Sequence, residues 1–348
     1  MNQERIVWLQ QEVAELGCDW VVVDDPTNLL YLTGLHLSAG VLLVGREAAQ
    51  LFVDGRYIEK AKGAKLLPAE GWTAVLEQEP FRQGKRIGFN GDLTSYNKVE
   101  KWKGVEKKWV PLTDFVMPGR QIKDDEEIAR IGAACDLACA GMDFAINQLK
   151  EGISEQELAK QIEIFWLERG AQGASFPPIV AFGANSSMPH YHPGDRKLQH
   201  GDVVLLDLGV QLSDYHSDMT RTVFFGEPDP GLLEVYEVVR EAQQRAVDAV
   251  SEGIESCKLD QIARDWITKK GYGEQFSHSL GHGLGLEVHE TPFLRQRGKS
   301  VPLFQGMVVT IEPGIYLPGI GGIRIEDTIV VGKEGAEILT HFSKEVIR

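Results

Sequence analysis

The chain predicts a mixed α+β architecture in two parts: a smaller α/β domain over residues 1–122, then a larger α+β domain over 123–348. Three observations lead there. Short apolar strand runs alternate with helical runs in the first third of the chain. A polar stretch, Arg120 to Glu127, follows the breaker pair Pro118-Gly119. Beyond it, a strand ending in a carboxylate is written twice. Gly201-Asp202-Val203-Val204-Leu205-Leu206-Asp207-Leu208-Gly209 returns as Gly306-Met307-Val308-Val309-Thr310-Ile311-Glu312-Pro313-Gly314, and Asp218-Met219-Thr220 is echoed by Glu326-Asp327-Thr328.

In order, residues 2–17 read as an amphipathic helix ending at Gly17. Strands are expected at Trp20–Asp24, Val41–Val44, Ala49–Asp54 and Arg86–Phe89, with a helical run over Tyr57–Lys62. The second part opens with a helix over 125–149 and another over 155–169 capped by Ser154. Strands follow near 178–182, 202–210 and 216–225, and helices near 231–251 and 258–270. The last stretch is strand-rich, at 284–289, 306–316 and 322–332.

The 43% hydrophobic and 25% charged fractions are those of a globular protein. A net charge of −15 argues against nucleic acid as a partner. No apolar stretch approaches the ~20 residues that span a bilayer, so no membrane role is expected. The four cysteines, Cys18, Cys135, Cys139 and Cys257, make no disulfide framework, and the polar start lacks a signal-peptide core. A cytoplasmic protein fits these features.

A carboxylate ending an apolar run is costly unless it is partnered. Asp207 and Asp218 are symmetric about Leu212-Ser213, and a two-residue turn there makes them cross-strand neighbours on one face. Glu312 and Glu326 are symmetric about Gly319, inside the turn-forming Leu317-Pro318-Gly319-Ile320-Gly321-Gly322. Two hairpins facing each other would gather four carboxylates, which repel unless cations lie between them. Their charge matches two divalent ions. Two unrelated solvent-facing hairpins would leave the matching spacing unexplained, and the loop spacing of a calcium hand is missing.

Histidines surround this pattern. His278 and His282 lie in the Gly-rich run His278-Ser279-Leu280-Gly281-His282-Gly283-Leu284-Gly285, His289-Glu290 follows, and Met188-Pro189-His190-Tyr191-His192-Pro193 carries two more. Imidazole is a common metal ligand. His200, His216 and His341 have no such context and read as structural or surface residues.

These segments resemble the creatinase/methionine-aminopeptidase superfamily, whose fold is called pita-bread. The resemblance runs through Asp207-Leu208-Gly209 to Ser217-Asp218-Met219-Thr220-Arg221-Thr222, Gly281-His282-Gly283 to His289-Glu290, and Glu312-Pro313-Gly314 to Arg324-Ile325-Glu326-Asp327. Asn28-Leu29-Leu30-Tyr31-Leu32-Thr33-Gly34 and Leu51-Phe52-Val53-Asp54-Gly55-Arg56-Tyr57 look like the N-terminal domain of Xaa-Pro peptidases and creatinases. The resemblance implies a pita-bread catalytic domain with pseudo-duplicated halves around a curved antiparallel sheet, behind a creatinase-type N-terminal domain. It also implies a dimeric peptidase cutting the bond before proline.

By the same resemblance, Asp207 chelates one metal, Asp218 and Glu326 bridge both, and His282 and Glu312 complete the second. His190 and His289 match histidines that contact substrate or the tetrahedral intermediate, and Arg324 matches an arginine near the metals that holds a carboxylate or meets substrate. His192, Phe182 and Tyr191 are candidate pocket residues, and His36 on the Thr33–Gly40 loop is a candidate to reach a partner subunit's site. One imidazole among oxygen ligands suits Mn²⁺, with Co²⁺, Zn²⁺ or Fe²⁺ as alternatives. Two such ions about 3.5–4 Å apart share a water and make it a nucleophile at neutral pH. Glu312 then carries its proton to the prolyl nitrogen.

An Xaa-Pro aminopeptidase is the first expectation, drawn from Gly34–Gly40 and Asp54–Tyr57, with an Xaa-Pro dipeptidase (prolidase) as its rival. A creatinase-like amide hydrolase and a catalytically dead peptide-binding module both fit poorly with an intact ligand set.

Overall fold

The computed structural model describes residues 2–62, 68–70, 85–102 and 108–346. The chain divides into two compact units, residues 1–120 and 121–348.

The first unit is built on a six-stranded mixed sheet. Its strands are β1 (Trp20–Val23), β2 (Val41–Gly45), β3 (Ala49–Val53), β4 (Pro68–Glu70), β5 (Arg86–Asn90) and β6 (Lys108–Leu112), in the spatial order β4-β3-β2-β1-β5-β6. β1 is antiparallel to β2 and parallel to β5. Val22, Leu43, Phe52, Ile87 and Phe89 form a buried cluster on this sheet. The Asn28 run singled out in the sequence is the helix Pro26–Thr33, with Asp25 capping its start and Gly34, at φ 72°, ending it. Asn28 is buried because it accepts from Arg120 Nη1 at 2.9 Å while donating to Asp25.

In the second unit every strand pairing is antiparallel. Helices Asp125–Asn147 and Glu155–Leu167 both start with capping boxes, at Asp124 with Glu127 and at Ser154 with Glu157. Then come β7 (Gly173–Ala174), β8 (Ile179–Phe182), β9 (Asp202–Leu208), β10 (Val210–Leu212), β11 (Tyr215–His216) and β12 (Met219–Phe225). Helices Pro230–Asp248 and Ser256–Lys269 separate these from β13 (Gly281–Gly283), β14 (Glu290–Leu294), β15 (Val308–Ile311), β16 (Gly314–Leu317), β17 (Gly321–Arg324), β18 (Asp327–Val331) and β19 (Ala336–Ile338). Among the described residues no helix is long and apolar enough to cross a membrane.

The two acidic hairpins share a construction. In the first, β9 with β12 and β10 with β11 keep one register across a gap, from Leu206↔Arg221 to Leu212↔Tyr215. In the second, β15 with β18 and β16 with β17 do the same, from Val308↔Val330 to Leu317↔Gly321. Each gap has a local cause. At Gly209, a Cβ would stand 2.4 Å from Ser217 O, so only glycine lets the strands pass there. Pro313 has no N–H to give to a ladder. Asp218, Glu312 and Glu326 lie in these gaps and Asp207 lies close beside one. The gaps join side by side: Glu326 N donates to Thr220 O at 3.1 Å and Thr328 Oγ1 to Asp218 O at 2.7 Å.

Two expectations need correction. The first turn is Ser213-Asp214, both at positive φ, so Asp207 faces Thr220 rather than Asp218. The displacement is two residues, which leaves Asp218 on the face that alternation requires. The strand expected at 284–289 is instead the loop between β13 and β14, where the register shifts between His282 and Gly283. Within the polar run Arg120 to Glu127, Arg120, Lys123 and Glu127 are buried.

Behind the joined gaps, buried Arg221 donates to Asp327 Oδ1 at 2.7 Å and to the backbone carbonyls of Thr220, Glu326, Phe342 and Ser343. Asp327 also accepts from Gln243, Thr340 and Lys344. Burial pushes the Asp327 pKa up, but Arg221 and Lys344 outweigh it and the net shift is downward. Removing one partner of a buried pair strands the other. Arg221→Met should therefore cost about 3 kcal/mol in denaturant unfolding, near the lower end for such losses because Lys344 still pairs with Asp327. An unchanged midpoint would show that the network is not a structural keystone.

Candidate metal centre

The face of β9 that carries Asp207 looks into a cavity of about 340 Å³. Asp207, Asp218, His282, Glu312 and Glu326 all line it, as do His190, His192, His289 and Arg324. His36 belongs to the first unit, where it is exposed after the helix Pro26–Thr33.

The acids are crowded. One ligand atom each of Asp218, His282 and Glu326 lies within 4.8 Å of the others. His282 Nε2 is 3.6 Å from Asp218 Oδ2 and 3.7 Å from Glu312 Oε1, too far for hydrogen bonds. Its Nδ1 meets Gly283 O at 3.0 Å, a backbone contact that assigns the proton to Nδ1 and leaves the Nε2 lone pair facing the acids. The Asp207 Oδ1 atom is buried with no hydrogen-bond partner.

Burial, followed by repulsion from Glu326, Asp207 and Glu312, raises the Asp218 pKa well above the carboxylate range. Burial and Glu326 do the same to Glu312, and burial with Asp207 pushes Glu326 up to about 8. The imidazoles move the other way. Burial lowers His282 to about 4, with help from His289, and His278 to about 3, with help from Arg324. An orphaned carboxylate oxygen, mutually repelling acids and a neutral imidazole aimed at them are what divalent cations require, and the donor set fits them.

The supporting contacts explain the placement. Arg324 donates through Nε to Thr220, through Nη1 to Tyr316 at 2.8 Å and Pro189 O at 3.4 Å, and through Nη2 to Asp207 Oδ2 at 2.5 Å. All three nitrogens have protein acceptors, Asp207 among them. Thr220 Oγ1 donates to Glu326 Oε2 at 2.8 Å. Buried Glu155 accepts from Phe182 N, Asn185 Nδ2, Tyr191 OH and Gly194 N, and so fixes the segment bearing His190 and His192. The Asp260–Arg264 fork holds Leu280 N and the carbonyls of Phe276 and His278.

Of the expected pocket residues, Tyr191 and His192 line the cavity but Phe182 does not. Ile179 faces Asp207 across β8 and β9. Strand alternation therefore turns Phe182 to the opposite side, into the core with Val204 and Leu206. Sequence reading missed the apolar wall of Phe176, Pro177, Ile179, Val288 and Phe293. It also left His278 without a role, although its Nε2 lies 2.8 Å from Tyr316 OH and its Nδ1 4.0 Å from Glu312 Oε2. The one usable signal was the position of Ile179, on the strand paired with that of Asp207 and on the same face.

Residues 129–333 match the model of metallopeptidase family M24, and residues 5–122 that of the creatinase/prolidase N-terminal domain. The chain belongs to metallopeptidase family M24. This M24 protein is a metallo-exopeptidase with the pita-bread fold. It is 39% identical to an Xaa-Pro dipeptidase of Pyrococcus furiosus, over 99% of this chain and 100% of that one. An Xaa-Pro dipeptidase structure from Bacillus anthracis superposes with a TM-score of 0.96 at 37% identity, over 100% of this chain and 99% of that one. An X-Pro aminopeptidase structure from Thermotoga maritima gives 0.89 at 32% identity, over 97% and 99%.

The raised carboxyl values fix the pH behaviour of the metal-free M24 protein. A carboxyl whose folded pKa exceeds its unfolded one stabilises the fold while protonated; that contribution is complete below the unfolded value and lost as pH rises through the folded one. For Glu326 the window runs from 4.5 to about 8. Below about 6.5 the depressed His278 and His282 oppose this trend, so the melting temperature of metal-free protein should fall between about 6.5 and 8, and added Mn²⁺ should raise it most at the alkaline end. A flat metal-free profile would contradict this.

Proposed function

We propose that the chain is a two-metal Xaa-Pro dipeptidase, a prolidase. The observation that carries this reading is the full-length likeness to Xaa-Pro dipeptidases, which reverses the order that the sequence motifs favoured. Cavity size supports it: about 340 Å³ is near the lower end for small-molecule sites and suits a dipeptide.

Asp207, Asp218, His282, Glu312 and Glu326 would hold the ions, Mn²⁺ fitting the oxygen-rich set. When bound, two divalent ions would polarise the scissile carbonyl and lower the pKa of a water. The chain's own groups do the rest. Glu312 would take a proton from the attacking water and deliver it to the leaving prolyl nitrogen. His190 and His289 donate to the carbonyl oxygen as it gains charge. Arg324 holds Asp207 in place, and His192 stands at the cavity wall. The bond before proline is a tertiary amide with no N–H to offer, so a wall of Phe176, Pro177, Ile179, Val288 and Phe293 can enclose the ring without leaving a donor unpaired.

The aminopeptidase reading keeps one specific support, the likeness to the Thermotoga maritima structure. Metal-loaded protein given an Xaa-Pro dipeptide and an Xaa-Pro-Xaa tripeptide should cut the dipeptide at least about tenfold faster. Equal or faster tripeptide cleavage would establish the aminopeptidase instead.

The enzyme is further proposed to act as a homodimer in which His36 reaches the partner's pocket. His36→Ala should then lower kcat/KM about tenfold, the worth of one hydrogen bond to a charged group, with metal content unchanged. An unaltered kcat/KM ends the idea.

A further inference from the structure

We propose that the buried Lys123–Glu290 pair anchors the loop carrying His289, and that this anchoring supports the chemical step. The catalytic half of this proposal rests on the peptidase reading above.

Lys123 Nζ lies 3.1 Å from Glu290 Oε2, and the two side chains are only 2% and 1% exposed. The carboxylate's other oxygen accepts from Glu287 N at 3.1 Å. At Gly285 a Cβ would stand 2.9 Å from both Glu290 oxygens and 3.0 Å from Lys123 Cε, so the loop backbone lies directly against the pair. Gly285 also accepts from His216 N at 2.9 Å, and its own N–H meets Glu287 O at 3.1 Å.

The base of the anchor is itself fixed. Lys123 N donates to Gly306 O at 2.9 Å, Ile122 bridges Met307, and Gln121 Nε2 donates to Thr291 Oγ1 at 2.6 Å. Those contacts tie the segment 121–123 to the strand leading into Glu312 on one side and to the strand after His289 on the other.

What the loop presents is chemistry. Val288 and His289 both line the cavity, and the His289 ring packs edge-on against the ligand candidate His282 at 4.4 Å. Among the described residues the His289 ring has no hydrogen-bond partner, so backbone placement sets its aim. A buried ion pair is a weak source of stability, since apolar residues of similar volume hold a core as well or better. It supplies direction: Glu290 holds Glu287 N–H through a hydrogen bond that an apolar pair lacks, and Gly285 packs against both side chains. Misplacing a reacting group by about 1 Å can cost on the order of a hundredfold in rate.

The test uses Lys123→Met, Glu290→Gln and Lys123→Arg in the full Mn²⁺-loaded chain. Amide hydrogen exchange over 285–289 should accelerate at least about tenfold in the first two, with Val308–Ile311 unchanged. Their kcat on an Xaa-Pro dipeptide should fall about tenfold or more while KM moves less than about threefold, with bound Mn²⁺ equal to wild type. Lys123→Arg should restore most of both. If Lys123→Met does not fold, Glu290→Gln, which keeps a carbonyl acceptor for Glu287 N–H, decides. Wild-type exchange in the loop overturns the proposal, and so does a kcat loss that only follows lost metal or lost folded protein. If wild-type enzyme cuts no Xaa-Pro peptide, the peptidase reading falls, and the exchange result alone decides whether the pair anchors the loop.

Discussion

Repulsion among Asp207, Asp218, Glu312 and Glu326 is the constraint around which the second unit is arranged. Four carboxylates sharing a largely buried cavity cannot all ionise without positive charge among them. The protein supplies one guanidinium, Arg324, and spends it on Asp207 Oδ2. Thr220 satisfies one oxygen of Glu326, while Asp207 Oδ1 is left without a partner. The shortfall is electrostatic, and divalent cations held as proposed would make it good. Metal affinity and the upward pull on the carboxyl pKa values thus express the same stored repulsion.

Holding such groups together requires backbone that is neither regular ladder nor free loop. Both acidic hairpins keep register on either side of an interruption and place acids at it. Gly209 and Pro313 open the gaps, and Thr220, Thr328 and Arg221 sew the two gaps to each other. Regular pairing up to the gap keeps the acids from drifting. The missing pairs free the chain to turn carboxylates from both hairpins into one volume. The halves are not exact copies, because Thr220 occupies the register position in the first hairpin that Glu326 occupies in the second.

Around this centre the histidine-bearing segments hang on buried polar groups. Glu155 gathers the 182–194 segment, the Asp260–Arg264 fork gathers 276–280, and Lys123–Glu290 gathers 285–289. Each is a charged group that does not itself face the cavity, and each gives a loop the directional contacts that apolar packing lacks.

Much of the site could be read from sequence because its logic is local. A carboxylate at the end of an apolar strand announces its cost wherever the chain runs, and the second hairpin's symmetry about Gly319 holds in its observed pairing from Gly314↔Arg324 to Leu317↔Gly321. The first hairpin's turn came out one residue late, because Ser213 and Asp214 both take left-handed conformations that composition does not announce. Phe182 and the loop at 284–289 were misread for a related reason: strand facing and register shifts are fixed by partners far away in the chain. Lys123 shows the limit most plainly. In sequence it is one charge in a polar run; its burial against Glu290, 167 residues on, exists only once the sheet has closed. Residue type and spacing carry the chemistry of the acids, whereas pairing between distant segments settles which polar groups lose water and which walls face the cavity.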